Sequence, residues 1–346
     1  MGRRQSCVIA MLFALFLAFL WWNGAVREGV RSGLSLCASS LIPALFPFSV
    51  LTNLIIGQPF GSTNRNWAEK WMRKIFHLPA AAASALFFGL MGGYPIGAQI
   101  TGQLRKSGRL SPMEAEHTAS CCNNAGPAFT IGAVGAGVFR SVRIGVALFL
   151  IQVISALICC LLLRGDEHTL CAQEAATPAG HGPSAYITEA IGKSVFSMLR
   201  ICGIVVFFSA LTALMRTAVP LGRLPAAVYA LLYGAVELTG GCFALIGVSE
   251  ETAFTAAAVL LGWGGLCVHA QALDAFTKAE ISPLPYLRGK MIQAVLCMIL
   301  SFPVRMLLFA RFDGLVFTGS AAVFSFFIIF CLFFQKQDWK SRRNMV

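Results

Sequence analysis

The sequence predicts an all-α polytopic membrane protein, with about eight transmembrane helices and two re-entrant hairpins in an inverted repeat. Three observations carry that prediction. The chain of 346 residues is 57% hydrophobic and only 12% charged, with a mean hydropathy of +0.73. Soluble domains carry about 25% charged residues. Apolar segments near membrane-crossing length recur between short basic clusters, the pattern left by cationic residues held on the inner face. The second half also repeats the first, with glycine-rich breaks at matching places inside the apolar segments.

The elements follow in order. Cys7–Trp22 is a short but usable crossing, and residues 1–23 form an N-terminal transmembrane helix. Arg3-Arg4 before an apolar run can also open a signal peptide. Trp21-Trp22-Asn23 is a poor cleavage region and suits a membrane interface, so the helix is expected to be retained. Residues 24–163 form a first repeat, opened by a crossing over Leu34–Ile56 and followed by a basic loop with Arg65, Lys70, Arg73 and Lys74. Residues 78–104 are interrupted at Met91-Gly92-Gly93-Tyr94-Pro95, and each arm is too short to cross alone. Basic clusters flank both ends, so the segment enters and leaves on one side as a hairpin. Ser111-Pro112-Met113-Glu114 is a capping box with proline in the first turn. It opens a helix over 111–139 that breaks at Asn123-Asn124-Ala125-Gly126-Pro127. Ile144–Leu163 is an uninterrupted crossing, and 164–185 is a polar linker.

The second repeat, 186–312, follows the same plan. Ile187–Met215 crosses. Residues 224–247 form a hairpin with its tip near Thr239-Gly240-Gly241. Residues 249–276, capped by Ser249-Glu250-Glu251, break at Gly262-Trp263-Gly264-Gly265. A crossing over about Leu287–Phe309 completes the unit, and 313–346 supply a last helix and a basic tail. Leu78-Pro79-Ala80-Ala81 recurs as Leu224-Pro225-Ala226-Ala227, and Phe48-Ser49 as Phe208-Ser209. Ser111 and Ser249 each stand 15 residues before a break glycine, Gly126 or Gly264. Three crossings per half is an odd number, which sets the second copy upside down. With both termini cytoplasmic, about 18 of the 27 Lys and Arg fall inside, and about seven or eight outside.

Several classes are set aside. The net charge of +12 is scattered in clusters between apolar spans rather than along a basic face with aromatics, so no nucleic acid is expected as a partner. The 12 cysteines lie mostly in apolar runs without C-x-x-C spacing, which makes them small buried hydrophobes and predicts no metal site or cofactor. No H-E-x-x-H, G-x-S-x-G or Walker pattern occurs, so neither an enzyme nor a built-in ATPase is expected. Transport would then draw on a proton or sodium gradient, a partner, or the substrate's own gradient.

The breaks are where function is expected. An interrupted helix in hydrocarbon leaves unpaired N–H and C=O groups at several kcal/mol each, tolerated only inside protein or beside a wet cavity. Half-helices beginning there carry partial positive charge, which favours an anionic substrate. Pro95 and Pro127 suit such starts. The candidate binding residues are Gly92, Gly93, Tyr94, Pro95, Gly97 and Gln99 at the first tip, and Asn123, Asn124, Gly126 and Pro127 at the first break. Glu237, Thr239, Gly240 and Gly241 belong to the second tip, and Gly264, Gly265, His269 and Gln271 to the second break. Gln99 and Gln103 share a helix face, while Glu237, Asp274 and His269 are candidate proton carriers. Each has a plainer reading. Glycine pairs permit close packing, paired asparagines tie helices together, and a histidine can be structural. Arg200 either snorkels to the inner interface or lies deep as an anion ligand.

Gly-Tyr-Pro-Ile-Gly-Ala at 93–98, Cys-Asn-Asn-Ala-Gly-Pro at 122–127 and Gly-Gly-Leu-Cys-Val-His-Ala-Gln at 264–271 resemble the YlbJ-type (SpoVV-type) sporulation integral membrane proteins. The resemblance covers nearly the whole chain. That family carries the nucleoside-recognition or Gate domain also seen in concentrative nucleoside transporters and the ferrous-iron permease FeoB. The resemblance implies a multi-pass bacterial membrane protein of the mother-cell-derived outer forespore membrane, moving dipicolinic acid from the mother cell toward the forespore. It carries Gly93, Tyr94, Pro95, Gly97, Asn123, Asn124, Gly126, Pro127, Gly264, Gly265, His269 and Gln271 as site residues; the family often has serine where this chain has Cys267. It also leaves a nucleoside as an alternative substrate, and a homo-oligomer as an expectation, since the nucleoside transporters are trimeric. A third reading, from a different class, is a non-transporting scaffold for spore-envelope assembly.

Overall fold

A computed structural model describes residues 3–57, 65–164, 183–218 and 224–309. Among these the chain is helical throughout and holds no strand. This is what hydrocarbon demands, because a helix pairs its own backbone polar groups. Four helices are long and apolar enough to cross a bilayer, or up to six if each of two bent pairs is one span. The molecule is a helical polytopic membrane protein. The sequence-based count of about eight includes the C-terminal helix, which lies outside the described residues, as does most of the linker 164–185.

The N-terminal helix α1 (Arg3–Trp21) meets α2 (Asn23–Leu36) at a bend of 92°. Its large side chains, among them Leu12, Phe16 and Leu20, are exposed, the surface expected of a lipid-facing helix. Residues 24–33, which the sequence reading left between crossings, are helical. They continue through a π-helical turn, Cys37–Leu41, into α3 (Ile42–Gly57). The reason for α2 is tertiary. Gly29 and Gly33 lie four apart on one face and let the backbone press against Ser209, Ala210 and Val206 of a later helix. The expected basic loop is also partly helical: α4 (Arg65–Phe76) carries an Arg73–Glu69 ion pair one turn apart.

The first hairpin is α5 (Ala80–Met91) and α6 (Ile96–Lys106), joined through Gly92–Pro95. Helix α7 (Pro112–Cys122) opens with Ser111, whose hydroxyl accepts from Glu114 N while the Glu114 carboxylate accepts from Ser111 N at 2.7 Å. It ends at Asn123 in extended backbone, and after Pro127 the chain winds again as a π-helix, Ala128–Val138. A straight crossing, α8 (Val142–Leu162), follows. The remaining helices are α9 (Pro183–Ala218), α10 (Ala226–Val236), the short α11 (Leu238–Phe243), α12 (Glu250–Trp263), α13 (Gly265–Thr277) and α14 (Pro283–Phe309). Helices α12 and α13 form one broken span, enclosed far more than the long crossings α9 and α14. The broken span is therefore the most enclosed of the candidate crossings.

Two local expectations need correction. The second hairpin does not turn at its glycine pair. The break falls at Glu237 (φ −132°, ψ 110°), whose carboxylate accepts from Thr239 N at 2.9 Å and Gly240 N at 2.6 Å. An N-cap carboxylate thus starts α11, and Gly240 and Gly241 sit inside that helix. Their lack of a side chain serves packing, since a methyl on Gly241 would run into Gly234 of α10. Ser249 precedes α12 without a side-chain cap; its hydroxyl bonds Thr252 Oγ1 instead.

Candidate functional site

Small residues let the breaks approach one another. Gly93 has φ +81°, and a methyl there would stand 2.8 Å from Gly126 N, so the first hairpin tip lies directly on the first helix break. Gly89 and Gly97, on the two arms below, both abut the Cys122 carbonyl. Gly92, next to the tip, packs on Ile96. Tyr94 then reaches from this tip to the second break, where its hydroxyl donates to Leu261 O at 2.8 Å and lies beside Gly264. Gly264 has φ +93° and Gly265 φ +79°, which interrupt the helix between α12 and α13. Gly265 packs against Gly234 O and Leu238 N of the second hairpin, and Trp263 donates to Ala235 O there at 3.1 Å. The first tip thus touches both broken helices, and the second tip touches the second.

Inside this junction lies a buried polar network, and α14 supplies three of its side chains, Tyr286, Lys290 and Gln293. Tyr286 Oη joins Asn123 Nδ2 at 3.2 Å to His269 Nδ1 at 2.8 Å. Gln293 Nε2 donates to Asn124 Oδ1 at 2.6 Å, and Gln152 Nε2 of α8 donates to Ala125 O at 3.2 Å. Lys290 Nζ donates to Asn123 O at 3.1 Å and Gln293 Oε1 at 2.8 Å, with the Tyr94 ring centroid 5.4 Å away. Lys290 is 1% exposed, and no ion pair among the described residues includes it. Asn123 Oδ1, Gln152 Oε1 and His269 Nε2 are buried without a hydrogen-bond partner among the described residues. A polar atom in a packed interior is costly unless something pairs it.

A separate cavity of about 130 Å³ opens between α6, α9 and α13. Pro95, Gln99, Gln103 and Gln271 line it, together with Arg200. Lys106 and Lys278 add positive charge, against the single carboxylate of Asp274. Asp274 already pairs with Arg200 at 3.6 Å and with Lys278 at 2.5 Å. Gln103 is braced by Asn53, which in turn donates to Ser194 at 2.9 Å. A wider depression at Ser249–Thr252 and Phe309 lies at the opposite end of α12 from Gly264.

The sequence-predicted residues therefore divide. Gly93, Tyr94, Gly126, Gly264 and Gly265 form the junction; Asn123, Asn124 and His269 belong to the network; Pro95, Gln99, Gln271 and Arg200 line the cavity. Pro127 precedes the π-helix; Glu237 caps α11, and Thr239, Gly240 and Gly241 lie within that helix rather than in either polar site. Sequence reasoning missed Tyr286, Lys290, Gln293 and Gln152. Lys290 carried a usable signal, a lysine within an apolar crossing, but its nearness to the start of that crossing let it pass as a flank.

Sporulation integral membrane protein YlbJ of Bacillus subtilis (strain 168) is 27% identical over 332 residues, spanning 84% of this chain and 81% of that protein. This similarity supports the YlbJ-type assignment. The apolar helices make this chain an integral membrane protein, in agreement with the printed name of this relative. No protein-family model matches it, and no solved structure matches it.

Proposed function

We propose that this protein serves sporulation in the membrane as a secondary transporter of a small organic anion. Its most specific form is movement of dipicolinate from the mother cell toward the forespore. One observation carries the reading: two broken helices and two hairpin tips meet around buried polar groups, and a separate cavity between α6, α9 and α13 holds more cations than carboxylates. Broken helices of this kind build substrate sites in secondary transporters, with backbone amides and carbonyls as ligands. The cavity's three glutamines offer donors and acceptors to a planar dianion, and Arg200, Lys106 and Lys278 supply charge. The sporulation context comes from the YlbJ relative. The orientation fitting this role places both termini in the mother-cell cytoplasm, with the chain in the outer forespore membrane.

The test is flux of labelled dipicolinate into proteoliposomes holding the purified protein, with uridine and Asn124→Ala in parallel. Saturable dipicolinate flux, lost in the variant while folded protein is retained, is the expected result. Uridine flux instead would move the substrate to nucleosides. Flux of neither would remove the transporter reading and favour the scaffold.

A further inference from the structure

The surroundings of Lys290 are those of a cation site. Asn123 is the C-cap of α7, so its carbonyl belongs to the negative end of a half-helix. Such unwound carbonyls commonly hold a coupling cation in transporters with broken helices. Here the ammonium of Lys290 donates to that carbonyl at 3.1 Å and to Gln293 Oε1 at 2.8 Å, above the face of Tyr94. Asn123 Oδ1 of the same break is a further acceptor without a partner among the described residues, as is Oε1 of Gln152, whose amide nitrogen reaches the break from α8, and an excess of oxygen acceptors suits a cation rather than an anion. The titratable groups facing Lys290 are the thiols Cys122 of α7, Cys159 of α8 and Cys297 of α14. Tyr94 of the hairpin tip, His269 of α13 and Tyr286, one turn earlier on α14 and bonded to the same Asn123, are also near it. None of these is a carboxylate.

We propose that Lys290 is a tethered cation, occupying at the first helix break the place that a sodium ion would otherwise take. Sodium is therefore not bound there, and no coupling to sodium at this break is expected. The coupling consequence rests on the transporter reading above, whereas the tethered cation itself does not.

Thermal unfolding of the purified full-length protein, in sodium chloride against N-methyl-D-glucamine chloride at equal ionic strength, separates the two. The wild-type Tm is expected to be the same in both salts. Lys290→Ala vacates the site, so its Tm should be lowered in N-methyl-D-glucamine and recover by about 3 °C or more in sodium. Lys290→Met fills the space without charge and should stay insensitive to sodium. The proposal is overturned if sodium stabilises the wild type or the Met variant as much as Lys290→Ala. It is equally overturned if the Ala variant is indifferent to sodium, or cannot be recovered folded in its presence. In proteoliposomes, wild-type dipicolinate flux should persist without sodium. Absence of all flux removes the transporter reading but leaves the unfolding result to decide Lys290.

Discussion

At the scale of single residues, Tyr286 holds the site together. Its hydroxyl is the hydrogen-bond partner of both Asn123 Nδ2 and His269 Nδ1, whose other polar atoms, Asn123 Oδ1 and His269 Nε2, have none among the described residues. Tyr286→Phe keeps the ring packing against Phe276 and strands both groups in a buried setting. The expected cost is about 1–3 kcal/mol, read as a lower Tm of the purified protein. An unchanged Tm would show that the hydroxyl bridge contributes little. Asn124 is placed similarly, donating to Cys121 O at 2.8 Å and accepting from Gln293 at 2.6 Å. The Asn124→Ala flux control therefore needs its folded fraction measured alongside, because the substitution removes two buried hydrogen bonds.

At the scale of elements, glycine decides how closely the hairpin and the broken helix approach. Gly97 of α6 has no room for a methyl group, which would collide with the Cys122 backbone carbonyl. Backbone cannot swing aside as a side chain can, so Gly97→Ala should cost about 3 kcal/mol or more through overpacking. Gly132, in the π-helix Ala128–Val138, has nothing within 4 Å of the position a methyl would take. Gly132→Ala should therefore leave membrane abundance and Tm unchanged or slightly raised. Comparing the two variants by fluorescence-detected size exclusion after heating checks this directly. Equal losses would mean that glycine content, rather than contact, sets tolerance here.

At the scale of the whole molecule, topology can be tested and the sources of each conclusion separated. The proposed eight-crossing arrangement with cytoplasmic termini predicts that both N- and C-terminal fusions of green fluorescent protein fluoresce. Alkaline phosphatase fused at Arg140 should be active, because the loop between the first broken helix and α8 is then external. An active phosphatase at either terminus would refute the arrangement. The sequence by itself determined the class and the places where helices stop. Charge density, apolar length and glycine or proline at the interruptions are local properties, and no packing is needed to read them. It also located the asparagines of the first break and the tip residues Gly93 and Tyr94, since polar or backbone-permissive residues stand out in an apolar run. Only the tertiary structure decided what those residues meet. Lys290 and Gln293 join Asn123 and Asn124 across roughly 170 positions of chain. Glu237 becomes a helix cap rather than a free ligand, and Gln271 shares a cavity with Arg200 and Gln99 while His269, two residues away, does not. Periodicity and spacing report what one helix presents to its surroundings. Which other helix stands opposite is fixed by close packing of small residues such as Gly29, Gly89 and Gly265, and that information appears only once the chain has folded.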